Sequence, residues 1–167
     1  MNEPHARRQD GEGKRLDRAR QRARRLDELS EVEPGLFVGG YAAAEGTERL
    51  RAAGITHVVA LGDAVPEAAA QVRGLRLPMS DEGESDLWEV VANAAPFIDG
   101  ARAAGGRVLV LCNQGVNRSP ALIAAYLVAS GVAPQRALEL LSQARPIVNL
   151  HGRYLAQLTA LRHRARR

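Results

Sequence analysis

Along residues 36–161, short apolar runs alternate with stretches in which apolar residues recur every three or four positions. Leu36-Phe37-Val38, between Pro34-Gly35 and Gly39-Gly40, predicts a short strand stopped by the glycines. Residues 45–53 carry a helical pattern ending at Gly54, a residue suited to a left-handed helix cap. The β-branched, apolar run 55–61 predicts a buried strand, residues 66–74 a loop or short helix, and Leu75-Arg76-Leu77 another strand ended by Pro78. After a polar, acidic loop over 80–86, Trp88, Val91, Ala95 and Ile98 recur at helical spacing. They predict a long helix over 87–104, with Pro96 as a kink and Gly105-Gly106 as its stop. Val108-Leu109-Val110-Leu111 is wholly apolar and predicts a central strand, followed by a buried helix over 121–130 and further helices over 134–144 and 153–164. Strands alternating with helices indicate an α/β fold, a central and mostly parallel sheet flanked by helices.

The first thirty residues break this pattern. Residues 1–15 are polar and without apolar periodicity, so they are expected to be disordered. Leu16, Ala19, Ala23 and Leu26 give residues 16–29 only a weak helical face. The expected organisation is a basic segment over 1–30, one folded domain over 31–162 and a basic tail over 163–167.

Composition narrows the class. With 167 residues, 46% of them hydrophobic, the chain suits one domain with a full core. No apolar stretch reaches a membrane span and the N-terminus lacks the apolar core of a secretory signal, so a cytoplasmic protein is expected. One cysteine excludes an intramolecular disulfide, and the four scattered histidines lack metal-ligand spacing; no cofactor or metal is expected. The net charge of +4 is uneven, with nine basic residues in the first thirty and Arg162, Arg164, Arg166 and Arg167 at the end. Such runs are ordinarily solvated; RNA is the less favoured partner, since no aromatic residues are interleaved to stack bases. The bias toward arginine and alanine fits a GC-rich, bacterial genome.

The segment Leu111-Cys112-Asn113-Gln114-Gly115-Val116-Asn117-Arg118-Ser119-Pro120 lies between a buried strand and a buried helix. Ligands in parallel α/β sheets bind at the carboxyl ends of strands. Ser119 is a favoured N-cap and Pro120 suits a first turn, so the helix is expected to start there and to aim its free N–H groups at the loop. Gly115 allows a tight turn, and Arg118 offers a planar fork for two phosphate oxygens. That positive field favours the thiolate of Cys112, the form that attacks phosphorus. A leaving alkoxide must also be protonated, and the acidic loop over 81–86 is the place to find the acid; Asp63, at another strand end, is a weaker candidate. By itself a cysteine at a strand end is ordinarily a packing residue, and Asp86 reads as a helix cap. The company of Gly115, Arg118 and Ser119 is what changes the reading of Cys112.

Cysteine, five residues and Arg-Ser, with glycine three positions after the cysteine, resembles the signature loop of the protein tyrosine phosphatase superfamily. Val32 to Gly39, Gly54-Ile55-Thr56-His57-Val58-Val59, Asp81 followed by Asp86-Leu87, Ala125-Tyr126-Leu127 and Tyr154-Leu155-Ala156-Gln157-Leu158 look like successive segments of its dual-specificity branch. The resemblance covers residues 31–161 and implies a protein tyrosine phosphatase-like fold and a cysteine-dependent protein phosphatase. It implies that Cys112 forms a phosphocysteine, that Arg118 and the amides of Asn113, Gln114, Gly115, Val116, Asn117 and Arg118 bind the phosphoryl group, and that Asp81 is the general acid and then the base. It implies that Ser119 hydrogen-bonds the departing thiolate. Two positions depart from the family: Leu111 stands where it usually has histidine, which would weaken activity or raise the pH optimum, and His151 where it often has asparagine.

The implied partner is a phosphorylated protein, carrying phosphotyrosine and, where a shallow pocket admits them, phosphoserine or phosphothreonine. The uncharged loop positions Asn113, Gln114, Val116 and Asn117 disfavour inositol phospholipids. The alternatives are a weakly active or inactive module that holds phosphorylated partners, and a phosphatase of RNA ends or glycans.

Overall fold

The computed structural model describes residues 26–164 and, ahead of them, 15, 17–19 and 21; the expectations for residues 1–14, for 16, 20 and 22–25, and for 165–167 fall outside it. It opens with a hairpin. Strand β1 (Ser30–Glu33) turns at Pro34-Gly35 into the antiparallel β2 (Leu36–Gly40), and Gly35 supplies the φ of +79° that the turn needs. Two short helices, α1 (Tyr41–Ala44) and α2 (Thr47–Ala52), replace the single helix expected over 45–53. Gly54, at φ +66°, ends α2 as expected. Strand β3 (His57–Ala60), helix α3 (Glu67–Ala70) and strand β4 (Arg73–Arg76) follow. Then come the long helix α4 (Leu87–Ala103), strand β5 (Val108–Cys112), and helices α5 (Arg118–Ala129), α6 (Pro134–Ala144) and α7 (Gly152–Arg164).

The sheet order is β1-β2-β5-β3-β4, with every pairing after the first hairpin parallel. The apolar β5 therefore takes the centre, where both faces are covered and alternation is not required. Its side chains divide between two cores. Val108, Val110 and Cys112 join the core under α4, α5, α6 and α7, while Leu109 and Leu111 join Phe37, Leu50, Ile55 and Ala60 on the other face. The sheet is the mixed, predominantly parallel one expected of the α/β class.

Three local readings are corrected. Gly39 and Gly40 do not stop β2; they continue it, pairing with Leu111 and Cys112. The second strand of the 73–77 region begins earlier than its apolar residues suggest, because β4 pairs from Arg73 onward at a sheet edge where polar side chains remain exposed. Helix α5 starts at Arg118 with Asn117 at the N-cap, so Ser119 lies inside the first turn. Its hydroxyl has other partners, described below.

Candidate active site

Cys112 is the last residue of β5 and Arg118 the first of α5, so the loop between them spans the carboxyl end of the central strand. All five carbonyls of this loop, residues 113–117, have partners. The carbonyl of Asn113 accepts from Tyr41 N–H at 2.9 Å, that of Val116 from Asn149 N–H at 2.9 Å, and that of Asn117 from Ala121 N–H at 2.9 Å. The carbonyls of Gln114 and Gly115 accept from the buried guanidinium of Arg145, at 3.1 and 2.7 Å. Five consecutive carbonyls are thus drawn to donors outside the loop. Across a trans peptide the following N–H points the opposite way, so the amides of residues 114–118 turn toward the loop's centre. A ring of inward amides at a helix start is an anion nest.

Glycines make this curvature possible. Gly115 sits at φ +67°, and a Cβ there would lie 2.6 Å from the carbonyl carbon of Gly39. At Gly40 a Cβ would lie 2.7 Å from the carbonyl carbon of Gln114. The loop and the end of β2 pack backbone against backbone, which only paired glycines allow.

At the floor of the loop, Gly115 N–H donates to Cys112 Sγ at 3.3 Å, and Ser119 Oγ lies 3.3 Å from the same sulfur. Ser119 also donates to the Gly39 carbonyl at 3.3 Å. These contacts explain why Ser119 does not cap the helix. The residue before the cysteine, Leu111, is fully buried in the opposite core and faces away from the sulfur.

The acidic loop stands over this floor. Arg118, 7% exposed, places Nε 3.2 Å from Asp81 Oδ1, whereas Asp81 is 64% exposed. The approach is an ion pair without hydrogen-bond alignment, since Arg118 Nε has no directed partner, and Arg118 Nη1 turns to the Met79 carbonyl at 3.4 Å. Asn117 Nδ2 donates to Asp81 Oδ1 at 2.9 Å and to its carbonyl at 2.6 Å. From the other side, the Tyr154 hydroxyl donates to the Ser80 carbonyl, and Gln157 donates to the Ser85 carbonyl at 3.0 Å while accepting from Leu87 N–H at 2.8 Å. Burial pushes the Tyr154 phenol above its ordinary value, and the nearby charge of Arg118 works against that rise. Asp86 caps α4 as expected, accepting from Trp88 N–H at 2.8 Å.

Cys112, Arg118, Asp81 and the loop residues Asn113, Gln114, Val116 and Asn117 line one cavity of about 340 Å³. Ser119 lies beneath it, and Asn149, which carried no signal in the sequence, completes its wall. Asp63 is not in its lining; its carbonyl accepts from Arg76. His57 packs edge-on against Phe97 with ring centroids 5.4 Å apart, and His151 is not in the lining either; its backbone N–H donates to Asn117 Oδ1 at 2.8 Å. Among the described residues no group of three metal-ligating side chains is present, and no helix is long and apolar enough to cross a membrane.

The family model for the dual specificity phosphatase catalytic domain matches residues 36–164. The chain belongs to the dual-specificity phosphatase family. It is 36% identical over 137 residues to human dual specificity protein phosphatase 12, a match covering 78% of this chain and 40% of that one. It is 32% identical over 133 residues to dual specificity protein phosphatase 1B of Arabidopsis thaliana, covering 78% and 80%. Among solved structures, human DUSP28 superposes with a TM-score of 0.77 at 30% identity, covering 83% of this chain and 95% of that one. The chain spans between about two-fifths and just over half the length of the first curated relatives it matches. These likenesses agree with the phosphatase branch and the α/β fold expected from the sequence.

Proposed function

We propose that this family member is a cysteine-dependent protein phosphatase that hydrolyses phosphomonoesters through a phosphocysteine. The observation that carries the reading is Cys112 Sγ at the floor of the loop, accepting from Gly115 N–H, with Arg118 and the Asp81 carboxyl in the same cavity. The Cys112 thiolate attacks phosphorus along the axis of the loop. The amides of residues 113–118 and the Arg118 fork hold the phosphoryl oxygens and the charge that gathers on them. As the P–O bond breaks, Asp81 gives its proton to the leaving oxygen. Water then attacks the phosphocysteine, Asp81 takes a proton from it, and the sulfur leaves as a thiolate met by the Ser119 hydroxyl. No step calls on a metal or a cofactor.

Phosphotyrosine is the proposed substrate, with phosphoserine and phosphothreonine admitted. The cavity lining is mostly polar, and no aromatic residue is in it to demand a ring. The reading that the fold only holds phosphorylated partners is not favoured, because nucleophile, clamp and acid share one cavity. RNA ends and glycans remain as outcomes of a substrate screen. The catalytic unit is proposed to be residues 31–162, with basic segments at 1–30 and 163–167. A cytoplasmic setting is supported by a single reactive cysteine, and a bacterial source by the arginine and alanine bias.

The test is hydrolysis of an aryl phosphate across pH by the wild type, Cys112→Ser and Asp81→Asn. Cys112→Ser is expected to lose activity by at least about a thousandfold while still binding a phosphate analogue, and Asp81→Asn to lose about 10²–10⁴-fold on esters with poor leaving groups. A wild type inactive at every pH, with analogue binding intact, would return the choice to a binding module.

A further inference from the structure

Asn117 sits at the N-cap of α5, where an asparagine ordinarily turns its carbonyl onto the free N–H groups of its own helix. It makes no such bond. Its side chain turns outward and joins three segments: Oδ1 accepts from His151 N–H at 2.8 Å, and Nδ2 donates to the Asp81 carbonyl at 2.6 Å and to Asp81 Oδ1 at 2.9 Å. The orientation of the amide is fixed by chemistry, because a backbone N–H can only donate and a backbone carbonyl only accept. We infer that the Asn117 side chain is a positioning residue for the general acid, holding the Asp81 carboxyl by Oδ1 so that Oδ2 carries the proton toward the leaving group. The inference rests on reading Asp81 as that acid.

Three observations support it. Both close contacts of the carboxyl, from Asn117 Nδ2 and from Arg118 Nε, fall on Oδ1. The Arg118 contact is unaligned, and a bound phosphoryl group would draw that guanidinium away. Asp81 is 64% exposed, so without the Asn117 tether its side chain would be free to turn among rotamers. The tether grips the residue at both backbone and carboxyl, which fixes the side-chain torsion as well as the position of the loop. The same turn of Asn117 leaves the first amides of α5 uncapped, facing the loop's centre, where an anion is their natural partner.

The experiment compares kcat on phenyl phosphate, a poor leaving group, with kcat on 4-nitrophenyl phosphate, a good one. It uses the wild type, Asn117→Ala, Asp81→Asn and the double variant, each checked for folding by circular dichroism. Protonation of the leaving group matters most for the poor one. Asn117→Ala is expected to lose at least about tenfold more on phenyl phosphate than on the nitrophenyl ester. In the Asp81→Asn background, Asn117→Ala should leave the ratio of the two rates unchanged. If Asn117→Ala does not fold, Asn117→Ser, which restores a capping hydroxyl and lacks the reach to Asp81, gives the same comparison. Equal losses on both esters, or a further change of ratio in the double variant, would overturn the inference and assign Asn117 to the loop alone. Should Asp81→Asn itself show no preference between esters, the general-acid reading fails first and the inference with it, and that result is distinct from any obtained at Asn117.

Discussion

The two loops that face each other across the cavity are held by different means. The signature loop is held along its own backbone: five carbonyls bound from outside, three by main-chain N–H groups and two by the buried Arg145, glycines pressed against the end of β2, and a helix and a strand buried at its ends. The acidic loop is fixed by side chains, with Asn117, Tyr154 and Gln157 reaching it from elsewhere in the fold. The difference matches the role proposed for each. A nucleophile and an anion nest act through fixed distances, and small displacements cost orders of magnitude. A proton donor must meet leaving groups of differing shape, and side-chain tethers leave its residue exposed to them.

The comparison is broken most severely at Gly40. Its backbone, φ −105° and ψ 176°, is open to any residue, so only space forbids a side chain. A Cβ would lie 2.7 Å from the Gln114 carbonyl carbon and 3.0 Å from the Asn113 oxygen, and the loop must move to admit it. Gly40→Ala is expected to lower kcat/KM by at least about a hundredfold and to weaken vanadate binding in parallel, at a stability loss of about 1–3 kcal/mol. The same substitution should leave the ratio of rates on good and poor leaving groups near that of the wild type. Parallel measurement of vanadate affinity and leaving-group ratio checks both halves.

A lesser effect is expected at Arg145. This arginine is 1% exposed and ties the signature loop not only to itself but to the start of the chain, through the Glu28 carbonyl at 3.0 Å and Ser30 Oγ at 3.3 Å. Arg145→Gln removes donors from carbonyls that have little water to replace them. We expect a loss of about 2–4 kcal/mol in stability, read from the urea midpoint, and a drop of about tenfold in kcat/KM for the protein that stays folded.

Much of the signature loop was legible because its chemistry is local. Cys112, Gly115, Arg118 and Ser119 lie within eight residues, between a strand and a helix whose apolar patterns are unambiguous. What fixes the loop was not legible. Arg145 follows an amphipathic helix, where the pattern reads as surface, and its burial depends on carbonyls thirty residues away. Gly39-Gly40 read as a stop because glycines lower strand propensity; contact with the loop's backbone overrides that preference. Strand β1 was missed because charged Glu31 and Glu33 flank its one buried residue, Val32. Neither Ser119 nor Asn117 caps α5 with its side chain: both are good caps in isolation, but the sulfur takes the polar group of one and Asp81 that of the other. For the acidic loop, Asp81 and the Asp86 cap were readable, but the tethers from Tyr154 and Gln157 were not, since α7 shows only its apolar period.

The smallest effect, and the one that sharpens the comparison, belongs to Tyr154. Tyr154→Phe keeps the buried ring and deletes only the hydroxyl that donates to the Ser80 carbonyl, at a stability loss of about 1 kcal/mol. The signature loop should be untouched, with unchanged vanadate affinity, while turnover of poor leaving groups falls a few-fold as the acidic loop loosens. A second readout separates this phenol from the rest of the fold. Burial holds it above the ordinary value of 10.0, and burial together with a bond to Asp99 does the same for Tyr126. The native state then keeps these protons to higher pH than the unfolded chain does. The contribution to stability is complete below about pH 10 and is lost as pH rises through the raised values. Urea midpoints measured from pH 8 upward should therefore fall on the alkaline side in the wild type. They should fall less steeply in Tyr154→Phe and in Tyr126→Phe, and least in the double variant. Only Tyr154→Phe should couple that flattening to a change in leaving-group preference, because only its hydroxyl bears on the loop that carries Asp81.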